Sequence, residues 1–462
     1  MSRSGMMKLA AFSHPPGSNA SSWRLPEAAS DSDMNLSLYI EVAQAAERGK
    51  MDAIFFQDSL AVNQSNAIGR RDRERAHYPR AVTIEPLMLL PALAMVTSRI
   101  GLIATATTTY DQPYLVARHF ASIDHISGGR AGWNLVTTQN EDSAQNFGFD
   151  QHVAHAERYD RANEFYEVVC GLWDSWAQDA FVRDKTTGVY FDVDKVELLN
   201  HDGKHFKVRG PLNVARAPQG YPVIAQAGSS EVGRELAGKT AEIVFTAQLA
   251  LEDSIAFCND VKSRAEKYGR SRDHVNILPG FIPIVGETMQ EAQDKYRQMQ
   301  AFVSDDLALR AISRLAGGID LWQYPIDGPL PELPESNSAK GRQKMLIDMA
   351  REEKLSIREL GQRFAAGSGH RVVAGTAKSI ADNMQEWFEA GGADGFTVMF
   401  PYIVKPVHDF VNLVVPELQR RGLFRTEYEG RTLRENLGLP FPKRKQNVSQ
   451  TEATRENMVH SS

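Results

Sequence analysis

Three observations predict an α/β fold of the (β/α)8 barrel type. Short apolar, strand-like runs alternate with helix-patterned segments, eight such runs can be counted, and several of them end in polar residues. Residues 1–442 read as a single barrel domain with insertions after strands 4 and 7, at about 178–220 and 301–370. Residues 443–462, rich in Lys, Gln, Asn, Ser and Thr, read as a flexible tail. A doubly wound open sheet is the competing arrangement.

The first strand is placed at 7–12, and residues 36–48 follow with apolar side chains at helical spacing and Gly49 as a stop. The run 51–58 is a short apolar strand ending in Asp58. Residues 85–98 read as a helix with proline near its start, and 100–109 as a β-branched strand ending in threonines. After a helix at 116–126 comes Ser127-Gly128-Gly129-Arg130-Ala131-Gly132-Trp133-Asn134-Leu135-Val136-Thr137-Thr138, a glycine-led fourth strand that regains polarity at its end. A long helix at 155–176 carries Tyr159, Ala162, Tyr166, Val169 and Trp176 on one stripe, and a segment of hairpin character fills 178–220. Strands at 222–228, 243–248 and 275–285 alternate with helices at 229–239 and 251–268. From 301 to 370 helical pieces surround the Pro-rich run 323–334, and helix 377–390, strand 395–400 and helix 410–421 close the domain.

The 462-residue chain is 42% hydrophobic and 24% charged, with net charge −6 and a pI near 6.1. That supplies a large core but no basic field for nucleic acid or an anionic membrane, so a small-molecule substrate is expected. No apolar run is long enough to span a bilayer and no signal-peptide pattern is visible, which points to the cytoplasm. Cys170 and Cys258 sit in helical patterns and read as free core thiols. There is no His-Glu-x-x-His or Cys-x-x-Cys spacing, so no metal site is expected.

In a barrel of this kind the loops at the carboxyl ends of the strands converge on one pocket, which makes Asp58, Thr105, Asn134, Thr137 and Gln226 candidate ligand-binding residues. Ala227-Gly228-Ser229-Ser230 turns from strand into helix and offers backbone amides and hydroxyls to a phosphate; plain N-capping by Ser229 or Ser230 is an equal reading. His155 and Tyr159 lie four apart on one helix face and can donate hydrogen bonds to the same ligand. No Gly-x-Gly-x-x-Gly follows a strand, so a pyridine nucleotide, if used, is oxidised by another protein. No Gly-x-Ser-x-Gly elbow suits hydrolysis, and the basic loop Arg70, Arg71, Arg73, Arg75 and Arg80 reads as solvated.

These blocks resemble the bacterial-luciferase superfamily and, within it, the nitrilotriacetate and dibenzothiophene-sulfone monooxygenase branch. The similar stretches span most of the chain: Trp23-Arg24, the glycine-led fourth strand, His155-x-x-x-Tyr159-Asp160, Gly210-Pro211-Leu212, Gln226-Ala227-Gly228-Ser229-Ser230, Ala393-Asp394-Gly395-Phe396 and Thr432-Leu433-Arg434-x-Asn436-Leu437-Gly438-Leu439. Thr138 departs from the serine common in relatives. The resemblance implies a TIM barrel, reduced FMN (FMNH2) delivered by a partner NAD(P)H:flavin reductase, O2 as cosubstrate, and a homodimer or homotetramer. It places FMN on Asp58, Thr105, Asn134, His155, Tyr159 and Ser230, with Gly228 and Ser229 completing a phosphate cradle and Thr137 and Ala227 beside them. His155 and Asn134 are the expected catalytic residues, His155 by controlling a proton. The implied reaction cleaves a C–N, C–S or C–halogen bond of a small organic or xenobiotic substrate. A deazaflavin-dependent oxidoreductase and a non-catalytic flavin-binding protein remain as alternatives.

Overall fold

The computed structural model describes residues 5–62, 81–313, 315–317, 319–334 and 340–445. The basic loop from Arg70 to Arg80 and the tail beyond Lys445 lie outside the described residues.

Strand β1 (Lys8–Ser13), helix α1 (Leu36–Arg48), β2 (Ala53–Phe56), α2 (Pro86–Ala94), β3 (Gly101–Thr107), α3 (Pro113–Ser127) and β4 (Ala131–Val136) open the chain in alternation. Short α4 (Ser143–Asn146), long α5 (His155–Trp173) and a hairpin of β5 (His201–Asp202) with β6 (Lys207–Val208) come before β7 (Val223–Gln226). Next are α6 (Glu231–Thr240), β8 (Ile243–Thr246), α7 (Leu251–Lys267) and β9 (Asn276–Val285). Helices α8 (Met289–Ala301), α9 (Asp305–Ser313), α10 (Lys340–Glu352) and α11 (Ile357–Gly367) lead to β10 (Arg371–Gly375), α12 (Ala377–Glu389) and β11 (Gly395–Met399). The chain finishes with α13 (Lys405–Asp409), a π turn at Phe410–Val414, α14 (Val415–Arg420) and α15 (Leu433–Asn436).

Strands β1, β2, β3, β4, β7, β8, β9 and β11 pair in parallel in that order, and β11 returns to β1 to close an eight-stranded barrel. The open-sheet alternative is thereby removed. A ninth strand, β10, joins the far half of β9, with Arg371 to Gly375 opposite Phe281 to Val285. Eight strands are readable in the sequence; β10 is not, because four of its five residues are only half buried and it follows an irregular region.

Alternation along β4 sorts the strand's side chains. Trp133 points outward into an aromatic layer, 5.9 Å from Phe120 of α3, 5.9 Å from Phe165 and 6.3 Å from Trp173 of α5. Asn134 therefore points inward, opposite Thr105 in the register of β3. The glycine-led half of the motif is structural. Gly128, at φ 68°, ends α3, and the buried Arg130 donates to the carbonyls of Ala94, Thr97, Ile100 and Ser127, stitching the start of β4 to the α2–β3 turn.

The barrel interior is filled by Phe12, Phe55, Ile103, Phe245, Leu278 and Ile282, with Leu433, Leu437 and Leu439 sealing its amino-terminal end. The helix α15 is held there by a capping box between Thr432 and Glu435 and by an ion pair of Arg434 with Glu242.

Candidate active site

A cavity of about 1480 Å³ opens at the carboxyl ends of the strands. Asp58 after β2, Thr105 in β3, Asn134 in β4, Thr137 after it, and Ala227 and Ser229 after β7 all line it, so six of the sequence candidates converge on one space.

Asn134 is 3% exposed. Its Nδ2 donates to Thr105 Oγ1 at 2.8 Å, and Thr105 Oγ1 donates to the Phe56 carbonyl at 2.9 Å, a relay that fixes the amide across three neighbouring strands. Its Oδ1 is buried without a partner, an acceptor held ready for a ligand donor. Thr138 Oγ1 sits 2.7 Å from Thr107 Oγ1, locking the end of β4 to β3.

His155, Tyr159, Gly228 and Ser230 do not line that cavity; they form a niche at its side. The His155 and Tyr159 rings are 5.0 Å apart. A Cβ on Gly228 would lie 3.4 Å from the Tyr159 hydroxyl, and one on Gly233 only 3.0 Å from it, so glycine at both positions leaves the hydroxyl against bare backbone at the head of α6. Ser230 Oγ accepts the Gly233 amide at 3.2 Å, so the capping reading of this serine holds structurally. Gln226 is withdrawn from the site, its Nε2 donating to Thr240 Oγ1 at 2.9 Å.

Several residues in and around the pocket are not apparent in the sequence: Arg342, His370 and Asp111 line it, and Arg158 and His152 pack behind its wall at Thr138. Arg158, 1% exposed between His155 and Tyr159, donates through Nη1 to the Thr138 carbonyl while its Nε and Nη2 have no partner. His152 bridges Tyr110 (2.7 Å) and the same Thr138 carbonyl (3.0 Å), and burial holds its pKa below the usual histidine value. From the region after β9 come Arg342 and His370. Arg342 Nη2 donates to His370 Nε2 at 2.9 Å, which leaves the proton on Nδ1, and the imidazole stacks on Phe245 at 5.0 Å. Burial holds His370 neutral, its pKa well below the usual value. Asp111 follows the threonine run of β3 and could have been found from that position; the others depend on tertiary packing. Burial, with repulsion from Asp58 and Glu85, raises Asp111 to about 6, and burial raises Asp58 as well.

Both cysteines are buried and outside any disulfide, and burial pushes the Cys170 thiol up to about 12, which leaves it protonated and unreactive. No helix among the described residues is long and apolar enough to cross a membrane.

Comparison with known proteins agrees with this fold. Residues 10–394 match the family described as luciferase-like monooxygenase. The chain is 50% identical over 448 residues to nitrilotriacetate monooxygenase component A of Aminobacter aminovorans, covering 96% of this chain and 98% of that protein. It is 48% identical over 444 residues to N-acetyl-S-(2-succino)cysteine monooxygenase of Bacillus subtilis (strain 168), covering 96% and 98%. The crystal structure of DmoA from Hyphomicrobium sulfonivorans superposes with a TM-score of 0.84 at 32% identity, covering 94% of this chain and 92% of that one. The chain belongs to the luciferase-like monooxygenase family, as a flavin-dependent monooxygenase that works with FMNH2 and O2.

Proposed function

We propose that this protein is the oxygenase component of a two-component system: it takes FMNH2 from a separate NAD(P)H:flavin reductase and oxidises a small organic or xenobiotic molecule at a carbon beside nitrogen or sulfur, cleaving the C–N or C–S bond. The observation that carries this reading is the buried, unpartnered Asn134 Oδ1 in a cavity of about 1480 Å³, beside a glycine-floored niche at the head of α6. Single small-molecule pockets are typically ~300–1,000 Å³, so this volume suits a flavin and a substrate together. That speaks against a storage protein.

The residues present fit FMN. Asn134 Oδ1 and the carboxylate of Asp58 offer acceptors to flavin N–H and ribityl O–H groups. The backbone amides at the head of α6, the hydroxyls of Ser229, Ser230 and Tyr159, His155 and the two unpaired nitrogens of Arg158 suit its phosphate. Reduced flavin, when bound, supplies the electrons and the means to activate O2. The chain's own part is to orient that group, with His155 on its phosphate side, and to exclude water with the Phe12, Phe55 and Phe245 floor.

The choice of carbon beside nitrogen or sulfur draws on the substrates in the names of the two relatives near half identity, one an amine and one a thioether. The name "component A" supports a separate reductase. The deazaflavin alternative draws no support from these relatives, both of which are monooxygenases by name. The exposed apolar residues Val182, Tyr190 and Val193 suit a homodimer or homotetramer, which light scattering tests, and the free thiols suit a reducing cytoplasm.

The experiment is an anaerobic titration with FMNH2 followed by turnover with a flavin reductase, NADH and a panel of amines and thioethers. Tight FMNH2 binding with substrate-dependent oxygen uptake is expected; no FMNH2 binding would remove the reading.

A further inference from the structure

The cavity of about 1480 Å³ adjoins a second one of about 680 Å³, and Phe12, Phe245, Arg342 and His370 line both. Thr105, Asn134, Thr137, Ala227 and Ser229 line only the first, so the second is a lobe away from these flavin contacts. Asp58 and Glu85 reach both lobes from the loops after β2. Among the described residues Arg342, from α10, is the one lysine or arginine on the lining common to the two. Its Nη1 donates to the Ser368 carbonyl at 2.7 Å and its Nη2 to His370 Nε2 at 2.9 Å. The imidazole is fixed in turn. It stacks on Phe245 with the ring planes 10° apart, and it packs against β9 where only glycine leaves room, since a Cβ on Gly280 would lie 2.2 Å from its Nδ1.

A histidine is an unfavourable choice for that space on packing grounds alone. It is 5% exposed, and its Nδ1 is buried without a partner. A phenylalanine or leucine would fill a similar volume without leaving a buried donor unmade. What histidine adds is Nε2, an acceptor that orients the Arg342 guanidinium. An aspartate or glutamate would orient it too, but would offset its charge. Burial, together with Arg342 itself, keeps the imidazole neutral, so His370 fixes the fork without opposing its charge. A guanidinium held this way on a partly dry wall favours an anion, and its planar fork matches a carboxylate. The flavin phosphate has its own place: Tyr159, Gly228 and Ser230 of the niche line neither lobe. The anionic group that meets Arg342 is therefore on the substrate.

We propose that Arg342 binds a carboxylate of the substrate where the two lobes meet, with His370 as the residue that positions it, so that the substrate is an amine or thioether that itself carries a carboxylate. The proposal rests on the oxygenase reading above and narrows its substrate class. Arg342 makes and breaks no covalent bond; it anchors one end of the molecule. The rest of the substrate lies over the Phe12 and Phe245 floor that both lobes share, which is also the floor of the flavin side.

The test is calorimetric titration of the full-length protein, with and without saturating FMN, using thiodiacetate and iminodiacetate as probes beside their dimethyl esters. The wild type should bind at least one of the dicarboxylates about tenfold or more tighter than its diester. Arg342→Gln should lose that preference, and Arg342→Lys, which keeps the charge but not the fork, should retain part of it. His370→Phe, which fills the space without the Nε2 acceptor, should weaken dicarboxylate binding by about threefold to tenfold. FMN affinity, read by flavin fluorescence, should stay at the wild-type level in all three variants. Equal affinity for acid and diester in the wild type, or no binding of either dicarboxylate at millimolar concentration, would overturn the proposal whether or not the variants fold. So would an Arg342→Gln protein that keeps the preference, or one that loses FMN affinity and not dicarboxylate affinity, since Arg342 would then serve the flavin. Failure of the wild type to bind FMN, with the Arg342-dependent preference intact, would overturn the flavin reading and leave the carboxylate site standing.

Discussion

At Asn134 the amide nitrogen is fixed by Thr105 while the oxygen waits in the cavity. Removing it deletes an acceptor and a relay member but little packing. Asn134→Ala should weaken FMN binding roughly tenfold to a hundredfold, the loss expected for a buried hydrogen bond to a ligand, with little change in thermal midpoint. Fluorescence titration beside a melting curve checks both. Asp111 gives a pH prediction with a definite sign. Its folded pKa, about 6, lies above the reference 3.8, so the fold binds the proton more tightly than the unfolded chain, and its contribution to stability is lost as pH rises through that window. Asp111→Asn should therefore be more stable than wild type at neutral pH, on the order of 1–3 kcal/mol, and flatter in stability between those two pH values. Equal melting temperatures at pH 7, or a wild type gaining stability across the window on this residue's account, would contradict it. At this scale the sequence discloses polar residues at strand ends, such as Asp58, Thr105 and Asn134, because strand parity and barrel topology suffice to place them. Arg158 is concealed between His155 and Tyr159, where local sequence offers no sign that its guanidinium is buried.

Among the elements, the glycine-led fourth strand divides its labour. Gly128 and Arg130 build the turn and the base of the barrel, while Asn134 and Thr137 reach the cavity. Sequence alone marks the stretch without separating the two halves, since the partners of Arg130 lie more than thirty residues upstream in part. Strand β10 escapes a sequence reading for a similar reason: it is defined by pairing with β9 rather than by its own pattern. Helix α15 is the far end of the same machine. Leu433 is fully buried, and a Cβ on Gly101 would lie 2.4 Å from its Cδ1, so the leucine occupies space the glycine leaves. Leu433→Ala should cost about 2–5 kcal/mol of stability by cavity creation. FMN affinity measured well below the melting temperature should be unchanged, because the plug lies at the barrel end opposite the ligand cavity.

For the whole molecule, barrel closure brings residues from β2, β3, β4 and β7 to one mouth, and the helices between β9 and β10 add Arg342 to its wall. The alternation of strand and helix is enough to read this architecture from sequence; the shape of the mouth is not, because α8 to α11 pack by contacts distant in the chain. A fold with no dinucleotide fingerprint should not oxidise NADH unaided. The pure protein with NADH and FMN, without a reductase, is expected to show no substrate oxidation above background. The most direct measurement is product analysis under isotopically labelled dioxygen, with NADH, FMN, a flavin reductase and an amine or thioether substrate. The account predicts a cleaved product whose formation needs both the reductase and FMN, with one atom of each dioxygen passing to substrate and the other to water. Cleavage without label from dioxygen, or product formed without FMN, would contradict it.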